Sequence, residues 1–271
     1  MLLTACTTKL VYFFADDLAA NFVEDIVTFN DEQEAVIEAK LAQGLYWHQQ
    51  TQLPEYKKHL QDLLNIDLAH ITDEQLEAHR ERFVSHYIAI RTHFLPDIIE
   101  ILTGLSDPQC AEMSAYVKEK QKEYREKFKG DTAEEIQEYY QERIEERLED
   151  WLGDLKPMQQ TIVQEWAQQL VHVRSTALTR QEIMNQYWRE ALSNRQQPEF
   201  ANKVRAWIVD PRQFYSEKFS KDLEFNRLLA QQSLIKILRL VDEEQRQHFK
   251  EEILDWLYII STLQELDLKP E

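Results

Sequence analysis

One helix-start pattern, written repeatedly along the chain, limits its fold more than any other feature. The pattern is an apolar residue, a capping residue, two further residues, then Gln or Glu. It reads Phe29-Asn30-Asp31-Glu32-Gln33, Ile71-Thr72-Asp73-Glu74-Gln75 and Leu105-Ser106-Asp107-Pro108-Gln109. Variant copies are Leu155-Lys156-Pro157-Met158-Gln159, Leu178-Thr179-Arg180-Gln181-Glu182 and Val241-Asp242-Glu243-Glu244-Gln245, and Thr132-Ala133-Glu134-Glu135 keeps only the cap. A side-chain oxygen at Asn30, Thr72 or Ser106 can accept a first-turn N–H, while the Gln three residues on reaches back to the N–H of the cap. Acidic first turns complement the helix dipole, and Pro108 and Pro157 stand where a first-turn proline is tolerated.

Between these starts the apolar residues keep helical spacing. The stripes are Leu76, Phe83, Tyr87, Ile90 and Phe94; Ile136, Tyr140, Ile144, Leu148 and Leu152; Ile162, Trp166, Leu170, Val173 and Ala177; and Phe249, Ile253, Trp256 and Ile260. Sustained period-2 alternation is missing, and only 4 glycines occur beside 30% charged residues. The fold class predicted is all-α, a multi-helix bundle or stacked helical hairpins built from capped helices of about 20 residues. Gln33 leads to Leu53-Pro54, and Gln75 leads to Leu95-Pro96 at the same step, which predicts a duplicated 42-residue unit: a capped helix, a proline break, then a short apolar helix. Further breaks are expected near Gly130-Asp131, Gly153-Asp154, Gln197-Pro198 and Asp210-Pro211. Residues 6–271 are expected to form one all-helical domain with a possible sub-boundary near 130.

The formal charge of −18 disfavours nucleic acid as a partner, because an acidic surface repels phosphate backbones. From Arg195 to Arg239 nine Lys or Arg face five Asp or Glu. Ordinary variation along solvated helix faces accounts for that excess more simply than an anion-binding patch. Cys110 falls in register with Met113 and Val117, as a buried free thiol would. Signatures of enzymes and dinucleotide or metal sites are missing, so neither catalysis nor a cofactor is expected. His79, His86 and His93 are seven apart, or about 10.5 Å along a helix, too far for one metal. They read as partly exposed structural histidines, with a pH-sensing seam as the alternative. The densest unusual cluster is Trp47-His48, Leu53-Pro54 and Tyr56. It can pack one helical hairpin on the next or form a small recognition cleft for a partner.

The chain opens Met1-Leu2-Leu3-Thr4-Ala5-Cys6, and Leu3-Thr4-Ala5-Cys6 resembles a bacterial lipobox. That resemblance implies lipid attachment at Cys6 and a signal-peptide remnant in residues 1–5, with more leader expected upstream. Thr7 and Thr8 in place of Asp imply sorting to the outer membrane, with the body facing the periplasm. The repeated helix start is similar to the Leu-Thr-x-x-Gln motif of the Spy/CpxP group of periplasmic helical chaperones and stress sensors. A resemblance over nearly the whole chain is to an uncharacterised family of Gram-negative lipoproteins. It is carried by the lipobox, Asp31-Glu32-Gln33, Trp47-His48, Leu53-Pro54-x-Tyr56, Ala206-Trp207-Ile208-Val209-Asp210-Pro211, Asn226-Arg227 and Asp242-Glu243-Glu244-Gln245. The expectation is a membrane-anchored envelope module that binds protein segments, chaperone-like in action. The rivals are a scaffolding lipoprotein with one folded partner and, behind it, an envelope enzyme.

Overall fold

A computed structural model describes residues 26–126 and 132–269, the side chains of 174–179 and of Glu182 excepted. The lipobox with Cys6, and the expected boundary near 130, lie outside the described residues. Among the described residues ten α-helices follow one another: α1 Asp31–Trp47, α2 Leu53–Leu64, α3 Asp73–Thr103, α4 Asp107–Glu126, α5 Ala133–Leu152, α6 Pro157–Gln169, α7 Arg174–Ser193, α8 Phe200–Val209, α9 Glu217–Leu238 and α10 Glu243–Gln264. Among the described residues there is no strand, and the chain is an all-α bundle. No helix of the described residues is long and apolar enough to cross a membrane.

The helix starts are where the caps put them. Reciprocal boxes join Asn30 with Gln33, Thr72 with Gln75 and Thr132 with Glu135. Ser106 and Gln109 exchange the same two bonds at the head of α4. Before α6 only half the box forms: Gln159 accepts the Lys156 N–H, and an ammonium has no lone pair with which to answer. The Leu178-Thr179-Arg180-Gln181-Glu182 copy starts nothing, because α7 is already helical from Arg174.

The glutamines of these boxes then bond in pairs across the fold. Gln33 Nε2 donates to Gln109 Oε1 (3.3 Å) and to the Gly104 carbonyl, and Gln109 Nε2 donates to Gln33 Oε1 (2.7 Å) and to the Thr28 carbonyl. Gln159 and Gln245 repeat the device at 3.0 and 2.8 Å, reaching the Ile237 and Asp154 carbonyls. Each glutamine satisfies a carbonyl beside the helix start it meets, groups that helix ends otherwise leave unpaired. The partners are 76 and 86 residues apart, so the operative repeat is α1 with α4 and α6 with α10.

This replaces the tandem 42-residue unit. Helix α3 runs through Pro96 without a break. In the first copy α1 and α2 form one rod, joined by a π turn at His48–Gln52 that lets the chain pass Pro54 while staying helical. The real reversals lie elsewhere, at residues 65–72, at Gly104, at Gly153 with φ +68°, and at Arg239 to Asp242. Helix α6 ends at Gln169, so Val173 and Ala177 do not continue its stripe.

Three apolar cores result. One gathers Val27, Leu95, Leu102, Leu105, Leu192, Phe200 and Val204, with Cys110 and Trp188 packed against it. A second joins Leu68, Leu148, Leu152, Leu155, Val163, Ile237 and Val241. The third sets Leu53 of α2 against Ile259, Ile260 and Leu263 of α10. Gln49, buried in the π turn, donates to the Leu263 and Leu266 carbonyls at 2.8 Å each and so closes the last turn of α10.

Candidate functional site

The residues singled out from sequence lie along a seam where the α1–α2 rod packs on α3. Trp47, at the end of α1, stacks flat on His93 of α3, with ring centroids 3.6 Å apart and planes 4° from parallel. Phe94 meets the same indole edge-on. His48 meets Tyr56 edge-on, and Tyr56 meets His86 in the same way. Leu53 is buried in the third core, whereas Pro54 stands at the surface. Trp47 and Tyr56 therefore pack on α3, and His48 packs on Tyr56.

Gly44 sets how closely the two helices approach. A Cβ there would lie 2.2 Å from Cε1 and 2.5 Å from Cζ of Phe94. The Phe94 ring is wedged against Trp47 and His93, so it cannot simply swing away. Gly44→Ala is therefore expected to cost about 1–3 kcal/mol by overpacking. Adding Phe94→Leu should recover most of the loss. Equal chemical-denaturation midpoints for Gly44→Ala and the parent chain would contradict this.

The centre of the seam is a relay of three histidines that sequence spacing did not reveal. His59 of α2, 2% exposed, places Nδ1 3.1 Å from His86 Nε2 and Nε2 3.0 Å from His79 Nδ1. A neutral imidazole has one N–H, so His59 donates to one neighbour and accepts from the other. Burial, with help from the nearby Arg82 charge, pushes the His59 pKa down to about 4. His48, His79, His86 and His93 are also lowered, in each case chiefly by burial. Arg82 reaches across to Asp62 at 2.6 Å and holds that carboxylate below its ordinary range. Lys40 spans α1 and α3 to Asp97 (2.7 Å) and Glu100 (2.8 Å).

The three imidazoles do not converge on a point, because both ring nitrogens of His59 are already engaged with different neighbours. Among the described residues no group of His, Cys, Asp and Glu is arranged to hold a metal.

The apolar stripe assigned to α3 requires correction. Phe83 and Tyr87 are each 55% exposed, and the face turned to the rod is carried by His79, His86 and His93. Val84 and Ile88 are exposed beside Phe83 and Tyr87 on the outward side. The stripe of α10 fails at one position, Trp256, which is 43% exposed while Ile253 and Ile260 are buried. Cys110 is half-buried with a free thiol, and burial raises its pKa above the ordinary value. Of the cations between Arg195 and Arg239, Arg195 is tied to Asp107 and the Leu105 carbonyl, and Arg227 to Glu224 and Glu77.

A model of a family of unknown function, DUF6279, matches residues 25–220 of the chain. No curated protein and no solved structure matches it.

Proposed function

We propose, from the premise that the chain belongs to the DUF6279 family, that it is a lipid-anchored envelope protein whose helical body binds extended apolar protein segments. The observation that carries the binding half is the outward face of α3. Phe83 and Tyr87 (55% exposed each), Ile88 (45%) and Val84 (36%) stand on adjacent positions of one helix, and the Arg91 guanidinium lies 4.2 Å above the Tyr87 ring. Helical spacing makes these four a continuous patch. Contiguous exposed apolar surface of this kind marks interaction sites, and aromatic residues with Arg are enriched at the centres of protein interfaces. The buried seam behind the patch, where the Phe83 ring lies 4.6 Å from that of His59, holds it rigid. The chain's charge of −18 suits a chaperone-like role, since a strongly charged carrier keeps a bound apolar segment dispersed.

The anchor half rests on Leu3-Thr4-Ala5-Cys6, which the described residues do not include. Two or more acyl chains would hold the body at a membrane stably. An outer-membrane position facing the periplasm follows from the same reading.

The full chain with Cys6→Ala is expected to suppress aggregation of several unfolded clients at a near-stoichiometric ratio. Phe83→Ser with Tyr87→Ser should abolish that suppression while the circular dichroism spectrum is kept. Suppression of no client, or undiminished suppression by the double variant, would contradict the binding reading. Photocrosslinking from positions 83 and 87 in cells should return many proteins, whereas a single dominant folded partner would favour scaffolding instead. For the anchor, metabolic labelling with a clickable fatty acid should mark the chain bearing a lipoprotein leader and not its Cys6→Ala form. An unlabelled parent chain would remove the proposed address.

A further inference from the structure

On the face formed by α5, α6 and α9, away from the histidine seam, lies a second apolar feature. From its shape and lining we infer that it binds one long-chain fatty carboxylate. This inference is independent of the protein-binding patch on α3.

The groove holds about 590 Å³. One wall is the α5 row Tyr140, Ile144, Leu148 and Leu152. The other is the α9 row Asn226, Ala230, Leu234 and Leu238, which keeps the same four-residue step. Trp166 of α6 and Leu170 just beyond its end form its back. Twelve residues of helix rise about 18 Å, so both walls run for that length. A leaflet of a bilayer, half of a hydrocarbon core of about 30 Å, has nearly the same depth. Aromatic pairs stand at the two ends: Tyr140 stacked on His172 at one and Trp151 with Phe249 at the other.

The shape and chemistry of the groove select among occupants. An extended peptide would bring backbone N–H and C=O groups that need partners. The walls are almost wholly apolar, and the Asn226 amide is already engaged with both the N–H and the carbonyl of Val171. An acyl chain demands no hydrogen bonds from walls of this kind.

The head group is indicated by what borders the groove. Arg143 and Arg147, one turn apart on α5, line it, and their same-helix partners Glu146 and Asp150 are well exposed. Exposed pairs of this kind are weak and exchange readily. A guanidinium fork matches a carboxylate geometrically.

The test is titration of the full chain with cis-parinarate, read by energy transfer from tryptophan. Saturation at one probe per chain is expected. Palmitate should displace the probe and octanoate should do so at least about ten-fold less well, since each buried methylene adds to affinity. Ala230→Trp should weaken probe binding about ten-fold or more by filling the groove, with Leu234→Gln as a second variant should the first not fold. Arg143→Gln with Arg147→Gln should weaken palmitate about ten-fold and leave hexadecanol unchanged. The inference is overturned by non-saturable binding, by indifference to both wall variants, or by an equal effect of the arginine changes on palmitate and hexadecanol. It is equally overturned if an apolar peptide occupies the groove and palmitate cannot displace it.

Discussion

Lowering the pH from about 7.5 to about 4.5 is expected to destabilise the fold by about 2–3 kcal/mol through His59 alone. The ring is neutral in the folded chain, with its pKa pushed down to about 4, against about 6.5 when unfolded. The unfolded chain therefore takes up the proton first. The stability tied to the neutral ring is complete above about pH 6.5, falls as the pH drops toward about 4, and changes no further below that. A difference of about 2.5 units corresponds to roughly 3 kcal/mol at 1.36 kcal/mol per unit. His48, His79, His86 and His93 shift in the same direction and deepen the loss. A protonated His59 would also have to donate on both sides, which forces His79 Nδ1 and His86 Nε2 both to accept.

The groups facing the relay fix the window. Arg82 is positive throughout and opposes protonation, whereas Asp62 stays ionised because Arg82 lowers its pKa. Acidification also relieves the self-repulsion of a chain with formal charge −18, which works in the opposite direction. Urea unfolding across this range should therefore give a falling stability for the parent chain. His59→Gln with His79→Gln and His86→Gln should flatten or reverse the slope. A parent chain equally stable at both ends of the range, or a triple variant with the parent's slope, would refute the relay as the acid-sensitive element.

Replacing Gln159 by Leu is expected to cost about 3–5 kcal/mol, the largest effect of any single polar substitution proposed for this chain. Gln159 and Gln245 are 0% and 1% exposed. The substitution leaves the Ile237 carbonyl and the Gln245 amide buried without their partner, and each such group costs about 1–3 kcal/mol. Gln33→Leu removes the matching residue of the other pair, where water reaches most of the groups concerned, and should cost only about 1 kcal/mol. Gln159→Leu with Gln245→Leu should cost less than the two single changes added, because each removes a group that the other strands. Equal losses at Gln159 and Gln33, or strict additivity in the double variant, would show that the paired amides do not act as described.

Both predictions concern features that are half visible in the sequence. Gln159 can be assigned to a helix start from its neighbours alone, yet nothing in the string says that its side chain meets Gln245. The spacing of His79, His86 and His93 sets them about 10.5 Å apart along one helix. It gives no hint of His59, which comes from another helix and fills the gap between two of them. The exposure of Phe83 and Tyr87 is hidden in the sequence for a related reason. Helical periodicity names a stripe, and the apolar stripe is the natural choice for the buried one. Here a heptad of histidines could take the inward face because Trp47, Tyr56 and His59 offered rings and ring nitrogens to match. A signal for this existed, since six of the chain's 8 histidines lie from His48 to His93 among aromatic residues. The groove of α5 and α9 was half legible too. Its α5 row was recognised as a stripe, but a stripe does not disclose that the facing helix stands off from it.

The proline steps make the same point from the backbone. Leu53-Pro54 and Leu95-Pro96 look alike in sequence. One follows a π turn and the other sits inside an unbroken helix.

By itself, then, the sequence determined the all-α class, most helix starts and the inward faces of the later helices. Those properties depend on hydrogen bonds and side-chain spacing within a few residues, so local order suffices to specify them. Only the tertiary structure decided which glutamines pair, that the α1–α2 rod stays whole, that His79, His86 and His93 and not Tyr87 face it, and where a groove is left open. Each of these is a competition between distant surfaces for burial and for polar partners, and its outcome exists only once the helices have met.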